Sequence, residues 1–71
     1  MERHGFAAKR EEEASVLGYL AYTFEDAAVQ CAAATGAHTD DVVHVRELGT
    51  TNWQAWVVEE IDKAIYVYRV S

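Results

Sequence analysis

Residues 23–36, TFEDAAVQCAAATG, decide the fold because they carry a complete helix signal. Thr23 followed three residues later by Asp26 resembles a capping box, and carboxylates in the first turn favour the positive end of the helix dipole. Apolar residues then recur at helical spacing, and Gly36 stands where a left-handed C-terminal residue is favoured. The apolar side is mostly alanine, which predicts a helix lying close against a sheet.

Three β-rich runs follow this helix, after the polar loop AHTDD. They are residues 42–48 (VVHVREL), 53–60 (WQAWVVEE) and 64–70 (AIYVYRV). The connections between them, GTTN and IDK, are short, so the runs should pair as an antiparallel meander.

The run before the helix, residues 16–22 (VLGYLAY), fits two structures. Gly18 costs a helix about 1 kcal/mol relative to alanine, and the two tyrosines favour a strand. The helical period nevertheless extends backwards towards the KREEE stretch. We therefore expect an α+β fold with the alanine-rich helix packed on a three- to four-stranded antiparallel sheet. The expected order is β-α-β-β-β, with α-α-β-β-β as the alternative.

The length of 71 residues predicts a single domain, with a polar N-terminal segment at 1–13 and the α+β core at 14–71. A chain this short is close to the lower limit for a self-sufficient core, so a homodimer or an obligate partner is a reasonable expectation. One cysteine excludes an intrachain disulfide. With no long apolar stretch and no signal-peptide pattern, we expect a cytoplasmic protein without membrane contact.

The net charge of −6 is unevenly placed, since residues 14–62 carry eight carboxylates against Arg46 alone. Such a surface repels phosphate, which disfavours direct nucleic-acid binding, and its natural complement is a basic protein surface. Carboxylates two apart on one strand face are separated by roughly 7 Å, a spacing with which a row of them imitates a phosphate backbone. The carboxylates expected to contact a partner are Glu25, Asp40, Asp41, Glu47, Glu59, Glu60 and Asp62.

Aromatic residues supply candidate anchors beside these charges. Trp53 and Trp56 are three apart and should point to opposite faces of a strand, which leaves one indole for an interface. Tyr66 and Tyr68 share the second face of the last strand and form an aromatic patch if the helix covers the other face. We expect Trp53, Tyr66 and Tyr68 to be the anchors. The alternative is that one Trp is in the core, the other packs under the N-terminal segment, and the tyrosines are half-buried.

Catalytic motifs are missing from the sequence: there is no phosphate-binding glycine loop, nucleophile elbow or zinc-protease pattern. His38, Asp40, Asp41 and His44 have a spacing that a metal could use, but no cysteine or second histidine pair completes a tetrahedral set. We therefore predict that the protein is not an enzyme and uses neither a cofactor nor a metal.

The capped helix TFEDAAVQCAAATG is followed by VVHVRELGTTNWQAWV, in which a strand, a small polar turn and a Trp-containing strand precede a terminal aromatic strand. In this organisation, over roughly residues 16–71, the chain resembles the small proteins encoded by phages and prophages, including the anti-CRISPR type. Anti-CRISPR proteins are a functional class with many unrelated folds, so the resemblance assigns no residues. It implies a stoichiometric inhibitor that binds a CRISPR effector, often at its DNA-binding surface.

The sequence thus favours a non-enzymatic inhibitor or regulator that occupies a basic, nucleic-acid-binding surface of another protein. The alternative is a small assembly module that homo-oligomerises through its sheet face.

Overall fold

The computed structural model describes residues 2–70, which form one helix and five strands. The elements are β1 (His4–Arg10), β2 (Leu17–Ala21), α1 (Phe24–Thr35), β3 (Val42–Glu47), β4 (Gln54–Ile61) and β5 (Ala64–Arg69). The strands form a single antiparallel sheet in the order β2-β1-β3-β4-β5. The α+β class and the helix packed on an antiparallel sheet are confirmed.

The predicted strand count of three to four is wrong, because the N-terminal segment supplies a fifth strand. β1 lies between β2 and β3, although residues 1–13 were expected to be a polar segment outside a core that begins at residue 14. Phe6 and Ala8 of β1 are buried in the core. Charged residues flank the short apolar centre of β1, and alanine has a low strand propensity, so its local signal is weak. The segment is nevertheless a strand, because β2 and β3 lie on either side of it and form hydrogen-bonded pairs with it.

The segment before α1 is a strand, as expected, at Leu17–Ala21. The alternative order α-α-β-β-β is wrong, since the KREEE stretch contains the end of β1 and the turn after it. Within residues 2–70, no helix has the length and apolar character needed to cross a membrane.

The capping signals of α1 are confirmed. The Thr23 hydroxyl accepts a hydrogen bond from the Asp26 N–H at 3.0 Å, and the Asp26 carboxylate accepts one from the Tyr22 N–H at 3.2 Å. Gly36 ends the helix in the left-handed conformation, with φ of 68°. The residues of α1 that are fully buried against the sheet are Ala27, Ala28, Cys31 and Ala32. Their small side chains let the helix backbone lie close to the strands.

The sheet has two different faces, which we call the helix face and the open face. α1 covers the helix face, where Phe6, Val43 and Val58 are buried. Directly paired residues of antiparallel strands lie on the same side of a sheet, so the strand register assigns the other residues to the open face. The paired residues Lys9 and His44, and the paired residues Glu59 and Tyr66, lie there.

The strand directions also gather the connections at two ends of the molecule. The β1–β2 connection, the α1–β3 loop and the β4–β5 turn meet at one end, where α1 also finishes. The β2–α1 and β3–β4 connections lie at the opposite end, together with the residues at either end of the described range.

Candidate functional site

The end at which α1 finishes collects most of the negative charge, and we call it the acidic end. Its carboxylates are Glu11, Glu12, Glu13, Asp40, Asp41, Glu59, Glu60 and Asp62. The other four of the chain's 12 acidic residues, Glu2, Glu25, Asp26 and Glu47, lie towards the opposite end. The β1–β2 connection, the α1–β3 loop, and the end of β4 with the turn after it therefore bring two thirds of the acidic side chains to one end.

The α1–β3 loop is held to β4 by backbone hydrogen bonds. The Asp40 N–H donates to the Val58 carbonyl at 2.9 Å, and the Val58 N–H donates to the Asp41 carbonyl at 2.8 Å. Asp41 also caps its own loop, because its carboxylate accepts the His38 N–H at 2.8 Å. Further along, the Thr39 hydroxyl accepts the Glu60 N–H at 2.9 Å. These bonds fix Asp40 and Asp41 beside the last residues of β4, where Glu59 and Glu60 lie.

Arg10 is the cation in the interior of the acidic end, and its side chain is only 21% exposed. Its guanidinium donates to the Thr35 carbonyl at 3.1 Å and lies 3.4 Å from the carboxylates of both Glu13 and Asp41. Glu12 lies at 3.9 Å. The charge of Arg10 is therefore directed into the fold, where it joins the β1–β2 connection, the helix end and the α1–β3 loop.

The outer carboxylates face solvent with little compensation. Among residues 2–70, Asp40, Glu59 and Asp62 form no ion pair, and Glu60 has only His38 at 4.0 Å. The last turn of α1 contains no basic residue, so the negative end of its dipole adds to the potential here. The arrangement produces a negative surface that attracts cationic groups.

The predicted aromatic anchors lie on the open face. Tyr66 and Tyr68 are 49% and 53% exposed, whereas Ile65 and Val67 face the helix, as the alternation predicted. Trp53 is also exposed, with the Arg46 guanidinium 5.2 Å from its ring centroid.

The second indole lies on the opposite side, as expected for residues three apart. Trp56 packs against the hydrophobic core, and its Nε1–H is buried without a hydrogen-bond partner in the described part of the chain. The two tryptophans therefore divide between the core and the open face, and only Trp53 is available to a partner.

Tyr68 links the open face to the acidic end. The negative charge of Glu59, on the neighbouring strand, is the main cause that raises the pKa of Tyr68. Tyr66 is the direct cross-strand partner of Glu59. The two tyrosines thus border the acidic end on the β4–β5 side of the sheet.

Two of the predicted carboxylates do not join the acidic end. Glu25, in the first turn of α1, and Glu47, at the end of β3, lie at the opposite end. Trp53 lines a shallow depression of about 380 Å³ with Lys9, His44 and Glu11, the last of which belongs to the acidic end. This part of the open face carries positive as well as negative groups.

Sequence reasoning missed Glu11, Glu12 and Glu13, which lie at the acidic end. Their signal was visible as an uninterrupted run of glutamates. In the sequence, however, Arg3, Lys9 and Arg10 nearly balance these charges, and the expected polar N-terminal segment places the run outside the core. Once β1 is known to pair with β3, the run must lie beside the start of β3, as the Glu11 N–H bond to the Val42 carbonyl shows.

Reactive and metal-binding groups do not converge in the part of the chain described here. No group of three or more His, Cys, Asp or Glu side chains within residues 2–70 is arranged to hold a metal ion. His44 points to Glu11 at 3.5 Å on the open face, whereas His38 lies near Glu60. Cys31 is fully buried, and burial is the main cause that raises the pKa of its thiol.

Comparison of the chain with protein-family models, with curated proteins and with solved structures found no match.

Proposed function

We propose that this chain is a non-enzymatic, protein-binding inhibitor or regulator that acts in the cytoplasm and uses its acidic end to occupy a basic, nucleic-acid-binding surface of a partner protein. The observation that carries the proposal is the convergence on one end of the domain of eight carboxylates, from three connections and the last residues of β4. Five of them, Asp40, Asp41, Glu59, Glu60 and Asp62, are residues that the sequence marked for this role.

The chemistry of the acidic end suits a phosphate-binding surface better than it suits a small ligand. Carboxylates displayed on strand ends and loops present fixed negative charges to the lysines and arginines that would otherwise hold nucleic-acid phosphates. Long-range attraction accelerates encounter with such a surface, while buried contacts control dissociation. Tyr66 and Tyr68, which border the acidic end, are suited to supply the buried contacts.

The partner class that follows from the resemblance to anti-CRISPR proteins is a CRISPR effector complex. A guide-loaded effector holds its target DNA in a positively charged channel, which is the kind of surface that the acidic end complements. Direct binding of this chain to nucleic acid or to a membrane is not part of the proposal.

The proposal is tested by displacement of target DNA from purified, guide-loaded CRISPR effectors of several types, measured by electrophoretic mobility shift. The acidic-end variant is Glu59→Lys with Glu60→Lys, and the matched control is Glu25→Lys with Glu47→Lys, which changes the net charge equally at the opposite end. We expect the wild type and the control to displace DNA, and the acidic-end variant to need on the order of tenfold more protein or more.

Salt provides a second measurement in the same assay. Raising NaCl from about 0.05 to 0.5 M should weaken wild-type binding more than binding of the acidic-end variant, because screening removes an attraction that the variant has already lost. Equal displacement by the two double variants, or no displacement by the wild type, would contradict the proposal. Circular dichroism of each variant establishes that it is folded.

The second candidate function is a small structural module that homo-oligomerises through its sheet. The observation that favours it is the uncovered β5 side of the sheet, where Tyr66, Tyr68 and Val70 are all about half exposed. A domain this small gains stability when it buries such residues against another copy.

A further inference from the structure

β5 is an edge strand without the features that usually prevent edge pairing. Natural edge strands are commonly protected by lysine, proline, a bulge or a covering element. β5 has six residues, AIYVYR, whose only charged member is Arg69 at its end, and none of its residues has a positive φ. The opposite edge strand differs, because the Gln30 side-chain amide of α1 donates to the Leu20 carbonyl of β2 at 2.9 Å.

The outward backbone groups of β5 follow from its pairing with β4. Asp62 and Lys63 form a two-residue turn, so Ile61 and Ala64 are a hydrogen-bonded pair, and every second residue of β5 then bonds to β4. The Val70 N–H bond to the Ala55 carbonyl at 2.9 Å agrees with this alternation. The backbone N–H and C=O groups of Ile65, Val67 and Arg69 therefore point away from the sheet. No hydrogen bond to these groups occurs among residues 2–70.

We infer that β5 pairs antiparallel with β5 of a second copy about a two-fold axis at Val67, which joins the two sheets into one. This inference develops the self-association named as the second candidate function and does not depend on docking through the acidic end.

The register follows from the outward groups. Pairing centred on Val67 places Val67 opposite its counterpart and Ile65 opposite Arg69 of the other copy, so all outward residues enter hydrogen-bonded pairs. A shift of the axis to Tyr66 would pair Ile65 with Val67 but leave Arg69 without a partner in β5. The Val67-centred pairing is therefore the register that uses the whole strand.

Side chains across this junction are complementary. On the open face, Tyr66 lies opposite Tyr68 of the other copy, and the same pair repeats by symmetry, which gives a row of four phenol rings. On the helix face, Ile65 has Glu60 of its own copy on one side, since the two are paired in β4 and β5. On its other side it has Arg69 of the second copy, its partner in the Val67-centred register. Arg69 forms no ion pair within residues 2–70, and the junction brings it towards the acidic end of its neighbour. A foreign strand would not be expected to supply this reciprocal match.

Self-association is tested by sedimentation equilibrium of the full chain from about 1 μM to 1 mM, a range that detects interfaces of moderate affinity. We expect a concentration-dependent dimer. Tyr66→Lys with Tyr68→Lys should raise the dimer dissociation constant about tenfold or more. Leu20→Lys is the control, because Leu20 is 62% exposed on the open face of the other edge strand. It should leave the dissociation constant unchanged.

Cross-linking tests the register directly. Facing residues of a non-hydrogen-bonded antiparallel pair have Cα atoms about 4.5 Å apart, which is within disulfide range. The inference places Tyr66 and Tyr68 of different copies in such a pair. An oxidised mixture of the Tyr66→Cys and Tyr68→Cys chains should therefore form a disulfide-linked heterodimer, whereas each variant alone should form little. Cys31 is fully buried and does not interfere.

The possible results distinguish the β5 junction from self-association in general and from the inhibitor function. A monomer throughout the concentration range overturns both the β5 junction and the second candidate function, but leaves the DNA-displacement assay to decide the first. A dimer that survives the two tyrosine substitutions, or that gives no mixed disulfide, forms through a different surface and overturns the β5 junction alone. Cross-linking of Tyr66→Cys with itself in preference to the mixture overturns the register.

Discussion

Arg10 Nη2 lies 3.4 Å from Asp41 Oδ2, although the two residues are 31 positions apart. The pair joins the end of β1 to the loop that leads into β3, and the same guanidinium donates to the last turn of α1. A single cation thus holds the β1–β2 connection and the α1–β3 loop, which carry five of the eight carboxylates of the acidic end, against the last turn of α1. Glu12, Glu13 and Asp41 can lie close together because this charge is placed among them.

Replacing Arg10 by methionine should destabilise the fold by about 1–3 kcal/mol, since the carboxylates and the Thr35 carbonyl lose a largely buried charged donor. The loss should be smaller in 1 M NaCl than in about 0.05 M, because salt screens the repulsion among Glu12, Glu13 and Asp41. Urea unfolding at both salt concentrations measures the difference. Arg3→Met, at the opposite end, is the control and should change stability by less than about 0.5 kcal/mol.

Glu59→Gln should lower the pKa of Tyr68, because the Glu59 charge is the largest cause that raises it. The Tyr68 Cζ chemical shift, followed by NMR through the alkaline range, reports this pKa separately from those of the other tyrosines. Glu25→Gln removes an equal charge at the opposite end and should leave the titration of Tyr68 unaltered. An unchanged pKa in Glu59→Gln would mean that the Glu59 charge does not act on the Tyr68 phenol in solution.

Tyr19 should make stability fall at alkaline pH. Burial raises its pKa to about 12, with smaller contributions from Cys31 and Glu13. The folded protein therefore retains the phenol proton more tightly than the unfolded chain does. The resulting stability is fully present below pH 10 and is lost as the pH rises from about 10 to 12.

Tyr19→Phe should accordingly lose less stability than the wild type across this alkaline window. Near pH 8 the substitution should be close to neutral, since the buried Tyr19 hydroxyl has no hydrogen-bond partner in the part of the chain described. Chemical unfolding at a series of pH values provides the comparison, with Tyr22→Phe as the exposed control. If the unfolding free energies of Tyr19→Phe and the wild type fell in parallel with pH, the raised pKa of Tyr19 would not be the cause of the alkaline loss of stability.

Lys63→Gly should stabilise the β4–β5 hairpin. Asp62 and Lys63 have φ of 49° and 68°, the left-handed pair that a two-residue turn requires. Glycine adopts this conformation without the Cβ penalty, so Lys63→Gly should exceed Lys63→Ala in stability by about 1 kcal/mol. Both variants remove the same charge, so their difference in unfolding free energy isolates the backbone contribution. A lower stability for the glycine variant would indicate a different turn.

The sequence by itself determined the helix and the β-meander, because the signals for both are local. Thr23, Asp26 and Gly36 act within a few residues of where they stand, and short connections compel consecutive strands to pair. Alternation along β5 likewise assigns Tyr66 and Tyr68 to one face and Val67 to the other from the sequence alone. Periodicity of this kind depends on backbone geometry alone.

Only the tertiary structure decided the place of β1 and the composition of the acidic end. β1 has a short apolar centre between charged residues, and it becomes a strand because β2 and β3 supply its hydrogen-bond partners. Its position carries Glu11, Glu12 and Glu13 to the side of Asp40 and Asp41, whereas strand direction sends Glu47 to the opposite end. Sequence lists which charges a chain carries, but pairing and strand direction determine which of them become neighbours.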